Sequence, residues 1–136
     1  MRGAAALSIA ALLCLAGCGQ TSSATKFSGA EGDVAQVVED LQSDGKSNKP
    51  DDICTNLLAM ALQERIATTG SSCAAEMKKA IDDADAFDLE VQTVSVQGAT
   101  ATARVKGSNE GKGVMRTFTF AREGARWRIV SFGSAG

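Results

Sequence analysis

After Phe87 the spacing of apolar residues changes, and it does not change back. Before that point they recur at intervals of three and four; beyond it they alternate with polar residues. A single change of period divides the chain into a helical half and a sheet half. The architecture this predicts is α+β, with three N-terminal helices packed on one face of a four-stranded antiparallel sheet.

In the helical half, Val34, Val37, Val38 and Leu41 fall at i, i+3, i+4 and i+7, an amphipathic helix. Ser28-Gly29-Ala30-Glu31 has the form of a capping box before it, and Gly45 suits a helix end where positive φ is cheap. The polar stretch from Asp44 to Lys49 reads as a loop. Pro50 opens a second helix, with Asp51 and Asp52 complementing its dipole. Ile53, Leu57, Leu58, Ala61, Leu62 and Ile66 form its apolar face, with a break expected near Ala59–Met60. Ser72 is placed to cap a third helix from Cys73 to about Asp83, with Met77 and Ile81 as its core contacts.

In the sheet half, Leu89 and Val91 alternate in one phase, and Val94 and Val96 in the other, which predicts a bulge near Gln92–Thr93. Gln97-Gly98 turns the chain into a second strand, Ala99 to Lys106, with Ala101, Ala103 and Val105 on one face. Gly107 to Gly113 reads as a glycine-rich hairpin loop. A third strand, Val114 to Arg122, carries Phe118 and Phe120 on one face. Glu123-Gly124 turns into a fourth, Arg126 to Phe132, with Trp127 and Ile129 facing one way. The small alanines of the second strand leave room beside these aromatics, either for dense packing or for a pocket.

The N-terminus carries an address. Arg2 precedes an apolar run from Ala4 to Leu15, and Leu15-Ala16-Gly17-Cys18 follows in the order of a bacterial lipobox. Twelve apolar residues are too few to span a hydrocarbon core, which takes about 20. Residues 1–17 are therefore expected to be a signal peptide, and Cys18 the site of lipidation through a thioether, with diacylglycerol and a further palmitate-type acyl chain. Residues 18–27 would form a polar tether. The chain would sit on the extracytoplasmic face of a cell membrane, held by its lipid. Ordinary secretion with cleavage nearby is the alternative.

The chain has four cysteines. Cys14 leaves with the signal segment and Cys18 is taken by lipid, so Cys54 and Cys73 remain as a pair in an oxidising compartment. A structural disulfide is expected, contributing roughly 3 kcal/mol by loop entropy. Two buried thiols, or a redox pair, are the alternatives; the spacing is not C-x-x-C.

Charge is uneven. Residues 18–98 carry six Lys/Arg against fourteen Asp/Glu, and residues 99–136 seven against two. The simplest account is a basic sheet beside acidic helices in one molecule; a basic face toward an anionic surface is the other. The overall balance gives no nucleic-acid signature.

Recognisable catalytic constellations are missing. With no histidine, hydroxyls such as Ser22 and Ser23 have no Ser/His triad partner. Asp82, Asp83, Asp85 and Asp88 lack the order, glycine and terminal glutamate of an EF-hand, so no metal is expected. Gly107, Gly111 and Gly113 lack the Gly-Lys-Ser/Thr ending of a P-loop. Met60, Met77 and Met115 read as packing rather than copper ligands. Arg116 stands out: by alternation it shares a face with Phe118 and Phe120. It is either a snorkelling side chain at a sheet edge or a partner for an anionic ligand.

Helix, helix, helix and curved meander, ending in Phe118-Thr119-Phe120-Ala121-Arg122-Glu123-Gly124-Ala125-Arg126-Trp127-Arg128-Ile129, resembles the nuclear transport factor 2-like superfamily. Asp88-Leu89-Glu90-Val91 opening the sheet and the helical cysteine pair fit it too, and resemble small actinobacterial-type lipoproteins of that superfamily. The resemblance covers roughly residues 28–133, expected to be a single domain. It implies a cone, a sheet wrapped round the first long helix, hollow or filled. Catalytic members use Asp, His and Tyr inside the cone; this chain has neither His nor Tyr, so none of those roles transfers.

The function expected is thus a non-catalytic interaction or small-ligand-binding module at the cell envelope, using no cofactor. Arg116, Phe118, Phe120 and Trp127 are the candidate ligand-binding residues. Its partners would be the membrane through the lipid and an envelope protein or small ligand, not nucleic acid. A small cone-fold hydrolyase or isomerase, and a structural accessory subunit of an envelope complex, are the alternatives.

Overall fold

A computed structural model describes residues 23–84, 87–109 and 112–134. The signal segment, Cys18, the start of the tether, Asp85 and Gly111 lie outside the described residues. A short 3₁₀ turn, Ser23–Lys26, leads into α1, Gly29–Lys46. Then come α2 (Pro50–Asp52), a π turn (Ile53–Leu57), α3 (Met60–Ala67) and α4 (Cys73–Asp82). The strands are β1 (Glu90–Gln97), β2 (Thr100–Asn109), β3 (Lys112–Glu123) and β4 (Arg126–Ser131), an antiparallel meander in chain order.

The core forms where the two periods meet. Val34, Val38 and Leu41 of α1 pack with Ile53, Leu57 and Leu58 against Val91, Val105, Phe118, Phe120, Trp127 and Ile129 of the sheet. Burial of each such side chain contributes about 1.5–3 kcal/mol. Ala101 and Ala103 supply the shallow middle of this surface, opposite Phe120 and Phe118 of the neighbouring strand, and all four are buried.

The bulge falls between Val91 and Thr93. It resets the phase, so that Val94 and Val96 pack against the core on the same side as Val91. Ser72 caps α4 by accepting from the Ala75 N–H at 3.1 Å. The second helical segment does break: Leu58 and Ala59 are extended, Leu58 bridges to Ile129 in parallel, and the Ala59 N–H donates to the Ile129 carbonyl at 2.8 Å. The helix stops because the edge of β4 offers its backbone another partner. The preceding π turn frees two carbonyls, of Cys54 and Leu58, and Gln63 Nε2 donates to both, at 2.8 and 3.2 Å.

Three local expectations are corrected. Ser28 occupies the N-cap position with extended backbone, but its side chain makes no capping bond, so the capping box is not closed. Gly45 does not end α1. It lies inside the helix and is buried, because the ring of Phe87 rests on it; the positive φ falls on Asn48 (53°) instead. The stretch from Gly107 to Gly113 is not a loop throughout. The β2–β3 ladder runs on through Gly107↔Val114 and Ser108↔Gly113 to Asn109↔Lys112, because cross-strand bonds outweigh the weak strand preference of glycine.

Cys54 and Cys73 are joined by a disulfide, with Cα atoms 6.1 Å apart, tying the π turn to the start of α4. Among the described residues, no helix is long and apolar enough to cross a membrane.

Candidate functional site

The sheet is longer than the helical layer that covers it. α4 packs mainly against α2, the π turn and α3. A gap is therefore left between α4 and the far ends of β2 and β3, a cleft of about 420 Å³ that opens to solvent and is mostly apolar. Ligand pockets commonly fall between about 300 and 1,000 Å³.

Each wall has a separate origin. α4 and the residues after it contribute Met77, Ala80, Ile81, Asp83 and Ala84. The sheet contributes Val105, Gly107 and Ser108 from β2, and Val114, Arg116 and Phe118 from β3. Phe87, Asp88 and Leu89 form the side where the chain enters the sheet, and Leu41 and Ile53 reach in from the core. Phe132, just past β4, completes the lining with its ring edge-on to Phe118, centroids 5.3 Å apart and planes at 85°. That is the favoured geometry for an aromatic pair.

The position of Phe132 is set by Gly133, whose φ of +63° bends the chain back over β3. There the Gly133 N–H donates to Ser131 Oγ at 3.0 Å, and its carbonyl accepts from Arg116 Nη1 at 3.4 Å. Two cleft walls, Phe118 and Phe132, are thus fastened together at one end.

The rim is polar. Arg116 is exposed and on the same sheet face as Phe118. Asp88 pairs with Lys46, and the Leu89 N–H donates to Gln42 Oε1, which fixes the entry to β1 against α1. A smaller hollow of about 270 Å³ adjoins the cleft, sharing Asp88, Leu89, Gly107 and Ser108 with it and adding Gln42, Glu90 and Lys106. Asp82 pairs with Lys78 along α4, so the aspartates of this region do not converge. Among the described residues no three potential metal ligands gather.

Of the four candidate ligand-binding residues, Arg116 and Phe118 line the cleft. Phe120 and Trp127 share the sheet face but sit in the core: Phe120 is fully buried, and Trp127 is buried with the Arg122 guanidinium 5.8 Å above its ring. Phe87, Leu89 and Phe132 were not singled out from the sequence, although they complete the lining. The signal available for the first two was an apolar pair, Phe87 and Leu89, flanking Asp88 where the period changes. The pKa of one carboxyl near the end of α1 is displaced. That of Asp44 is raised from the usual carboxylate value by burial and by the nearby Asp52 and Asp40, with Lys49 opposing.

Residues 30–132 match the profile of a family described as putative lumazine-binding. No curated protein matches the chain.

Proposed function

The chain belongs to the putative lumazine-binding family, within the nuclear transport factor 2-like superfamily, and on that premise we propose that it is a non-catalytic small-ligand-binding module. The observation that carries this is the cleft. Three phenylalanine rings, Phe87, Phe118 and Phe132, and the aliphatic side chains of Met77, Ile81 and Leu89 surround a space of ligand size. A flat heteroaromatic of the lumazine kind suits such a slot, since ring faces and edges are what the walls offer.

The polar groups at hand support a binding reading. Among the described residues the carboxylates on the cleft are Asp83 and Asp88, and Asp88 is held in an ion pair with Lys46, whereas general acid–base work calls for a positioned group free to move a proton.

We also propose that Cys18 carries a lipid that holds this module on the extracytoplasmic face of the membrane. The lipobox order Leu15-Ala16-Gly17-Cys18 supports it, as does the Cys54–Cys73 disulfide, which suits an oxidising compartment. Incorporation of labelled palmitate by the full chain, and its loss in Cys18→Ala, tests this part.

The test of the binding role is a titration with lumazine, followed by its own fluorescence, and with N-phenyl-1-naphthylamine as a neutral apolar probe. Ala80 is exposed on α4 and lines the cleft without belonging to the core. Ala80→Phe should fill the space and weaken binding about tenfold or more while leaving the melting temperature in place. If neither compound binds saturably, the cleft is not a ligand site.

A further inference from the structure

Among the described residues, Arg116 is the one cation lining the cleft. It stands opposite Val105 in the β2–β3 ladder and two residues before Phe118, so its charged head lies at the margin of an apolar wall. Among the described residues it forms no ion pair. Its one side-chain hydrogen bond to these residues is the long contact, 3.4 Å, from Nη1 to the Gly133 carbonyl. A guanidinium has five donors in a rigid fork that matches an oxyanion, and a single neutral carbonyl at that distance leaves most of this capacity unused.

Building on the proposed binding role, we infer that the cleft takes an amphiphile with a single acid group, whose oxyanion replaces the Gly133 carbonyl on Arg116 while its apolar body lies along Phe118 and Phe132. An acid group gains a charge-assisted, two-pronged contact there, which the backbone carbonyl does not provide. Asp83 and Asp88 also line the cleft. Asp88 is neutralised by Lys46, but the charge of Asp83 acts against a second acid group placed near it, which favours a ligand with one. The segment after β4 keeps two of its three fastenings when the acid takes Arg116: the bond from the Gly133 N–H to Ser131, and the Phe132–Phe118 ring contact. Displacing the carbonyl therefore leaves the aromatic wall standing.

A matched pair of fluorescent probes separates this inference from the binding role on which it rests. N-phenyl-1-naphthylamine and 8-anilino-1-naphthalenesulfonate share one ring system and differ by a sulfonate. With the full chain, the sulfonate probe should bind about tenfold more tightly than the neutral one, an advantage that falls as salt is raised. Arg116→Gln should bring the ratio of the two affinities close to one, and Arg116→Lys should keep part of it, since a lysine retains the charge but not the fork. A ratio near one in the unsubstituted chain, or one that Arg116→Gln leaves unchanged, overturns the inference while saturable binding of the neutral probe preserves the cleft as a site. Failure of both probes to bind overturns the two together.

Discussion

The ring of Phe87 lies directly on Gly45. A Cβ built on Gly45 would stand 2.3 Å from Phe87 Cδ1 and 2.4 Å from Cε1. No real side chain tolerates such an approach. The glycine is thus a seat for the aromatic that forms one side of the cleft, at a position where a helix would otherwise prefer alanine.

Substituting Gly45 by alanine sets two effects against each other. Helix propensity favours the change by about 1 kcal/mol. Overpacking opposes it by about 1–3 kcal/mol, because the atoms met are the base of a ring rather than a flexible end. Gly45→Ala should therefore destabilise the fold, by up to about 2 kcal/mol, in urea denaturation. In the Phe87→Ala background the same substitution should become stabilising. A gain in stability with Phe87 present would show that the ring does not rest there.

The disulfide joins the π turn to α4 across 19 residues. Because α4 packs mainly on other helices, this bond holds one wall of the cleft to the body of the protein. Replacing both cysteines, Cys54→Ser with Cys73→Ser, should cost about 3 kcal/mol and weaken binding of the neutral probe as well. Thermal melting and probe titration on the same samples check both effects; a variant that melts earlier yet binds equally well would show that α4 is held without it.

What was legible in the sequence was local. The bulge after Val91 was written in a change of alternation phase and the cap of α4 in Ser72, and a break was expected near Ala59–Met60. The meander followed from turn residues such as Gly98 and Gly124, both of which have positive φ. What was not legible depended on distant partners. Gly45 looked like a helix end because nothing near it in sequence announces Phe87. The strands ran past Gly107 and Gly113 because each had the other strand to pair with. The four candidate residues share one sheet face, since alternation gives the face. Which of them border the cleft depends on where α4 and the other helices stop, and that is not encoded in period. Phe120 and Trp127 went under the helices, while Phe118 and Arg116 stayed beyond them.

Asp44 sets a pH dependence whose sign is fixed by its surroundings. Its pKa in the fold is raised above 3.8, first by burial, then by Asp52 and Asp40 against the opposing Lys49. A proton is therefore held more tightly by the folded chain than by the unfolded one. The stabilisation this gives is complete below the unfolded value and is lost as pH rises through the folded value. At neutral pH the ionised carboxylate works against folding. Asp44→Asn should raise the melting temperature at pH 7, and the difference from the unsubstituted chain should shrink toward zero as pH falls below about 3.8. A difference that persists unchanged at low pH would mean that packing, not charge, is responsible.

Trp127 offers a sharper case, because its buried indole Nε1 has no hydrogen-bond partner among the described residues. Two contributions then nearly cancel when the residue becomes phenylalanine. Removing an unpartnered, desolvated N–H relieves about 1–3 kcal/mol, and the smaller ring leaves a void costing a similar amount at about 24 cal/mol per Å³. The Arg122 guanidinium over the ring keeps an aromatic face to rest on. Trp127→Phe should therefore fall within about 1 kcal/mol of the unsubstituted chain, whereas Trp127→Ala, which empties the site, should cost about 3–5 kcal/mol. Urea titrations of the three proteins by circular dichroism decide it. A large loss for the phenylalanine variant would mean that the indole N–H has a partner in solution, a water held beneath α1.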